Sequence, residues 1–253
     1  MKKQSGFALI WVVVGIAVAA LIGVGAYFII DGNSKLTDFG QYDFYTIIEG
    51  NKDNGGISDH IKGEADAPVV IYEYADYQCE ACAAYNPRIN KVVEELDGKL
   101  AVVYRSFLLS YHKNATAAAS AAEAAGLQGY WKEYADKLFE EQSEWYYASP
   151  TRRTELFDGY FMDATGGKGD LEKFKSDIKS EEVSKKISFD MGIAKRLGVS
   201  GTPAFYIDGQ QIKFGDAGEV TVNGKKISWD EAQSGDDFVK LIKDIVDTKL
   251  GIV

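Results

Sequence analysis

The sequence predicts an α/β fold: a mixed sheet carrying an inserted all-helical module, preceded by one transmembrane helix. Three observations carry this expectation. Strand-like runs alternate with helical periodicity at both ends of residues 58–253, about 90 residues between them show helical periodicity alone, and the first 30 residues hold an unbroken apolar run.

The apolar run comes first. Residues 1–6 carry Lys2 and Lys3, and Phe7 to Ile30 contains no charged residue over 24 positions. A helix of that length spans roughly 36 Å at about 1.5 Å per residue, enough to cross a hydrocarbon core of about 30 Å. Cleavable signal peptides have apolar regions of only about 7–15 residues, so an uncleaved signal anchor is the expectation. Cleavage near Ala17 to Ala19 and a buried soluble helix are the alternatives. Lys2 and Lys3 orient the segment with its N-terminus in the cytoplasm, and all 38 acidic residues then lie on the far side. The folded domain is thus expected to be extracytoplasmic, where disulfides persist.

Residues 31–57, rich in Gly, Asn and Asp, read as a juxtamembrane linker in which "YDFYTII" could form an edge strand. "APVVIYEYAD" (67–76) is β-branched and aromatic, and its near-continuous apolar character suits a strand covered on both faces. From Cys79 to Leu96 the period turns helical through Ala83, Ile89, Val92, Val93 and Leu96, with Pro87 expected to kink the helix. "KLAVVYRSFLL" (99–109) is a second strand. The helical module, about 111–198, comprises the Ala-rich 114–126, then 129–142, 151–164, 170–178 and 181–197, with Trp131, Tyr134 and Leu138 as core residues. "PAFYIDG" (203–209) is a strand, and "GEVTVNGKKISW" (218–229) is a hairpin turning at Asn223-Gly224. Residues 236–250 close the chain as an amphipathic helix with Phe238, Leu241, Ile242, Ile245 and Val246 on one stripe.

The formal net charge of −10 and the lack of any basic run argue against a nucleic-acid partner. Only 4 Pro among 253 residues, against 32 aromatic residues, favours a folded globule.

The chemistry concentrates at Cys79-Glu80-Ala81-Cys82, which holds both cysteines of the chain. A structural zinc site needs four ligands, and the chain has only His60 and His112 besides. A structural clip would close a loop of a few residues and stabilise little. A redox pair fits the strand-to-helix junction, where free N–H groups and the helix dipole favour a thiolate at Cys79. Cys82, three residues on, is the buried partner, while Glu80 opposes the thiolate by charge. Glu73 shares a strand face with Val69, Ile71 and Ala75, six residues before Cys79. Desolvation should raise its pKa and let it exchange a proton with Cys82; the alternative is a partly exposed carboxylate at an edge. Asp76 reads as a turn or helix-capping residue. His60 and His112 read as surface or loop residues, and the sequon at Asn114 is discounted as a glycan acceptor.

"DHIKGEADAPVVIYEYADYQCEAC" (59–82), "VVYRSFLLSYHKNATAAASAAEAAGLQGYWKEY" (102–134) and "AKRLGVSGTPAFYIDG" (194–209) together resemble the DsbA-type thiol-disulfide oxidoreductases of the thioredoxin superfamily, in particular their membrane-anchored bacterial branch. The likeness runs from about 59 to 250. It implies a thioredoxin-like fold and a cis peptide bond at Pro203 beside the cysteine pair. It also implies that the backbone of Thr202 pairs with an extended substrate, and that an acidic group stands at Glu73 beneath the cysteines. The implied function is disulfide exchange with exported cysteine-bearing proteins, most simply as an oxidase recycled by a quinone-linked membrane partner, with no bound cofactor and no metal. Glu-Ala between the cysteines departs from the Pro-x or x-His dipeptides of strong oxidants. A reductase or isomerase, or a non-enzymatic module binding exported chains, therefore remains as an alternative.

Overall fold

The computed structural model describes residues 37–212, 218–229 and 235–252; the apolar segment 7–30 lies outside them. Among the described residues no helix is long and apolar enough to cross a membrane. The compact unit begins at Phe39, ahead of the boundary near 58 that composition suggests. Residues 39–57 form no strand. They bury Phe39 and Ile48 against the sheet's second face, where the Phe39 ring stacks on Phe189 at 5.3 Å. Aromatic side chains thus hold in place a segment whose Gly, Asn and Asp content resembles a linker.

The main sheet has five strands in the order β1-β3-β2-β4-β5. They are β1 (His60–Lys62), β2 (Val69–Ala75), β3 (Leu100–Ser106), β4 (Ala204–Ile207) and β5 (Gln210–Ile212). Central β2 runs parallel to β3 and antiparallel to β4, so the sheet is mixed. The strands at its two edges, β1 and β5, have only three residues each and escape periodicity altogether. Helix α1 (Glu80–Glu95) follows β2 and stays continuous through Pro87.

The helical module runs between β3 and β4 as α2 (Ala115–Gly126), α3 (Trp131–Glu140), α4 (Gln142–Trp145), α5 (Pro150–Ala164), α6 (Leu171–Asp177) and α7 (Glu181–Arg196). Ser149, Asp170 and Ser180 cap α5, α6 and α7 through side-chain oxygens. Trp131, Tyr134 and Leu138 are core residues of this module, as their spacing predicts. Strands β6 (Gly218–Val222) and β7 (Lys225–Trp229) form a separate two-stranded sheet instead of extending the main one. Its turn places Asn223 and Gly224 at φ 50° and 76°, the left-handed pair of a type I′ turn. The Gln210 side chain spans the gap, accepting from Thr221 N at 3.0 Å and donating to Thr221 O at 2.7 Å. Val220, Val222 and Ile227 of the hairpin join α8 (Gly235–Leu250) and α1 in one core.

Strand alternation gives the sheet two different faces. Val69 and Ile71 pack towards α1 and α8, and Ala75 towards the helical module. Tyr72 and Tyr74 face α7 and the 39–48 segment. Glu73 has the parity of the first set, so its carboxyl lies on the α1 side, under the cysteines.

Candidate redox site

Cys79 is the N-cap of α1 in extended conformation, φ −76° and ψ 118°. Its carbonyl accepts the first helical bond from Ala83 N at 3.0 Å. Both cysteines are free thiols. Cys79 is 8% exposed and Cys82 0%, so only the first sulfur is open to attack. Across from the pair, the Thr202-Pro203 peptide bond is cis. The Cys79 thiol donates to the Thr202 carbonyl at 3.4 Å. The Thr202 hydroxyl is buried without a hydrogen-bond partner, and Thr202 helps to hold the Cys79 thiol below its ordinary value. The structure thus brings Cys79, Cys82, Thr202 and Pro203 into one site.

Electrostatics separate the two thiols. A hydrogen bond from Cys82 does most to lower Cys79 to about 6, against desolvation, with help from Thr202 and from the N–H groups of Cys82 and Ala81. Cys82 moves the opposite way. Burial pushes it well above its ordinary value, and its hydrogen bond to Cys79 and the Cys79 charge add to the rise. The result is a stable thiolate beside a thiol that holds its proton. The Glu80 side chain is exposed, so water screens its charge from the sulfur.

Glu73 is 3% exposed. Burial raises it to about 7, Lys62 pulls it down in part, and the Cys79 charge raises it further. The edge-exposed alternative therefore fails, because β4 covers the flank that an edge would leave open. Lys62 is a site residue that the sequence does not disclose. From β1 its ammonium donates to Asn86 at 2.5 Å, Asn90 at 2.8 Å and Asp136 at 2.7 Å. Burial lowers the lysine, and Asp136 and Glu73 act against that.

Asp76 holds the strand-to-helix loop. Its Oδ1 accepts from Gln78 N at 2.8 Å and its Oδ2 from Leu109 N at 2.9 Å. His112 Nδ1 meets the same Oδ2 at 2.8 Å, so this histidine is a loop residue whose ring is turned onto Asp76 and largely out of solvent. His60 departs from the surface or loop expectation: it stands on β1, pairs with Glu123 at 2.7 Å and stacks on Trp131 at 4.5 Å. Gln142, also missed, donates to the carbonyls of Tyr77 at 2.7 Å and Cys79 at 3.0 Å, tying α4 to the cysteine loop. Asn114 is buried and its amide donates to the carbonyls of Trp145, Tyr146 and Ala148, which removes it as a glycan acceptor. Among the described residues no group of three or more His, Cys, Asp or Glu forms a metal site.

Comparison with known proteins agrees with the fold. BdbD from Bacillus subtilis, in its oxidised form, superposes with TM-score 0.55 at 20% identity over 81% of this chain and 99% of that one. The alpha-DsbA1 of Wolbachia pipientis gives TM-score 0.56 at 21% identity over 77% and 94%. These are DsbA-type folds. Among curated proteins, the Na(+)/H(+) antiporter NhaA 1 of Mycolicibacterium vanbaalenii is 32% identical over 158 residues, 61% of this chain and 24% of that protein. The corresponding NhaA 3 of Salinispora tropica is 31% identical over 153 residues, 60% of this chain and 22% of that protein. The chain thus spans about a quarter of the length of these curated relatives. The family described as thioredoxin matches residues 56–244, from the end of the 39–57 segment into α8. A match of that extent, on a sheet that sets a Cys-x-x-Cys helix against a cis-proline, makes this chain a member of the thioredoxin family.

Proposed function

We propose that this protein is a membrane-anchored, extracytoplasmic thiol-disulfide oxidoreductase that oxidises exported proteins through the Cys79-Cys82 pair. The asymmetry of the two thiols carries the reading: one thiolate-forming sulfur at a helix N-terminus, one buried proton-holding partner. In the oxidase direction a substrate thiolate attacks Cys79 Sγ of the disulfide, and Cys82 leaves as a thiolate. Its high proton affinity demands a donor, and Glu73, titrating near neutrality, supplies that proton. A second substrate thiolate then attacks the substrate's own sulfur in the mixed disulfide and expels Cys79. A thiol poised at about 6 is a good leaving group. The substrate loses two electrons and the pair gains them. Thr202 and Pro203 present the backbone edge against which the substrate segment lies.

Recycling needs an electron acceptor, for which a quinone-linked membrane protein is the proposed class. The apolar segment 7–30 supports anchoring. A match to one segment of proteins named as sodium/proton antiporters fits a domain that works at a membrane.

The test is the reduction potential of the pair together with its redox state in cells. A potential well above about −270 mV, towards about −120 mV, with the pair trapped mostly oxidised, supports an oxidase. A thioredoxin-like potential with the pair trapped reduced makes it a reductase or isomerase. A Cys82→Ser variant that traps no mixed disulfide on Cys79 makes it a binding module.

A further inference from the structure

Beside the cysteine loop lies a groove of about 540 Å³, within the size range of ligand sites at roughly 300–1,000 Å³. Three tyrosines line it. Tyr111 is 72% exposed and Tyr147 91%, and the Tyr146 ring meets that of Tyr147 edge-on at 4.5 Å. Two cations, Lys113 and Arg153, are also in the lining, and no acidic residue contributes to it. This is unusual on a chain with 38 acidic and 28 basic residues. Arg153 donates to the Asn114 side chain at 2.6 Å, and neither cation is among the ion pairs of the described residues. Two carboxylates bear on the Tyr146 ring without lining the groove: Asp76, paired with His112, and Glu80, exposed on α1.

The groove is built into the redox site. Gln78, next to Cys79, forms part of its wall and donates to the Tyr146 carbonyl at 2.9 Å. The Asn114 N–H donates back to the Gln78 side chain at 2.6 Å. Burial, Tyr147, Glu80 and Cys79, in that order, hold the Tyr146 phenol above its ordinary value, so the charge at Cys79 reaches this ring. We propose that the groove selects substrates by docking a segment in which acidic and aromatic side chains flank the reactive cysteine, with Lys113 and Arg153 taking the carboxylates and the tyrosines taking the rings. Cations in a groove walled in part by Gln78 attract an anionic chain, and exposed tyrosines supply apolar contact at small entropic cost. This inference rests on the oxidoreductase reading and names its substrate class.

The experiment uses oxidised full-length protein and two reduced dicysteine peptides that differ only in carrying Asp and Glu, or Lys, around the first cysteine. Dithiothreitol serves as a neutral thiol. The acidic peptide is expected to react about fivefold to tenfold faster at low salt, as one or two exposed ion pairs provide, and the ratio should fall as salt rises. Lys113→Gln and Arg153→Gln should each bring the ratio towards one. Lys113 is exposed, so that variant keeps the test intact if Arg153→Gln folds poorly. Equal rates for the two peptides, or a preference that both variants retain, overturn the groove's role. Failure to oxidise dithiothreitol overturns the oxidoreductase reading itself, and the substrate class falls with it.

Discussion

Replacing Glu73 by glutamine tests the electrostatics beneath the cysteines directly. Burial raises this carboxyl from an ordinary 4.5 to about 7. Below pH 4.5 it is protonated in both the folded and unfolded chains and leaves stability unchanged. Between 4.5 and 7 the unfolded chain releases the proton while the folded chain keeps it, so folding weakens as pH rises. Above 7 the full penalty stands. A shift of that size at about 1.36 kcal/mol per pKa unit amounts to about 3 kcal/mol. Glutamine keeps the shape and removes the titration. Asp190, raised to about 6, and Cys79, lowered to about 6, also titrate near this window. The informative quantity is therefore the stability difference between variant and wild type at each pH. Urea unfolding of the reduced protein should show that difference growing in the variant's favour by about 3 kcal/mol from pH 4.5 to 7.5, whatever constant offset the amide introduces. A difference that stays flat across this range, or moves the other way, refutes the assignment of Glu73 as a buried, neutral-range acid.

Two further outcomes follow from the same geometry. Alkylation of Cys79 in the reduced protein should titrate with a midpoint near pH 6, leaving roughly nine-tenths thiolate at pH 7, and Cys82→Ala should move the midpoint upward by removing the strongest donor; a wild-type midpoint near 8.5 contradicts the site's electrostatics. Lys186→Met leaves Asp59 and Asp190 buried without the ammonium that meets them at 3.1 and 2.7 Å, and denaturation at pH 7 should show a loss of about 3–5 kcal/mol; a loss below about 1 kcal/mol shows that the lysine does not compensate those carboxylates.

What the sequence discloses depends on how local each signal is. Glu73 is legible because strand alternation with Val69, Ile71 and Ala75 assigns its face without any distant contact. The Cys-x-x-Cys helix start and the Gly-Thr-Pro turn are short patterns, and each fixes its own backbone. Lys62 is illegible for the opposite reason. Its strand has three residues, and its burial depends on Asp136, 74 positions away. His60 misleads in the same way, since the acid that draws it inside, Glu123, is 63 positions away. Residues 39–57 form no strand despite the pattern of YDFYTII. Local bonds of the Asp43, Asn51 and Asn54 side chains to nearby backbone groups and packing of Phe39 and Ile48 on the sheet set their path together.

The long-range contacts share one consequence for the redox site. On the α1 face, Lys62 of β1 ties Asn86 and Asn90 of α1 to Asp136 of α3. On the opposite face, Arg105 of β3 pairs with Asp59 at 2.7 Å, and Lys186 and Asp190 of α7 join that pair. The module inserted between β3 and β4 is thus clasped to the sheet on both sides by buried charges. Such clusters add little net stability over apolar packing, because desolvation offsets most of the Coulomb attraction. They do penalise any displacement that would leave a buried charge unpaired. The cysteine loop is held by Gln142 from the module. A shift of the module would carry the Gln142 amide away from the Tyr77 and Cys79 carbonyls and change the start of α1, on which the Cys79 thiolate depends. The buried ions therefore fix the reactivity of a sulfur that none of them touches.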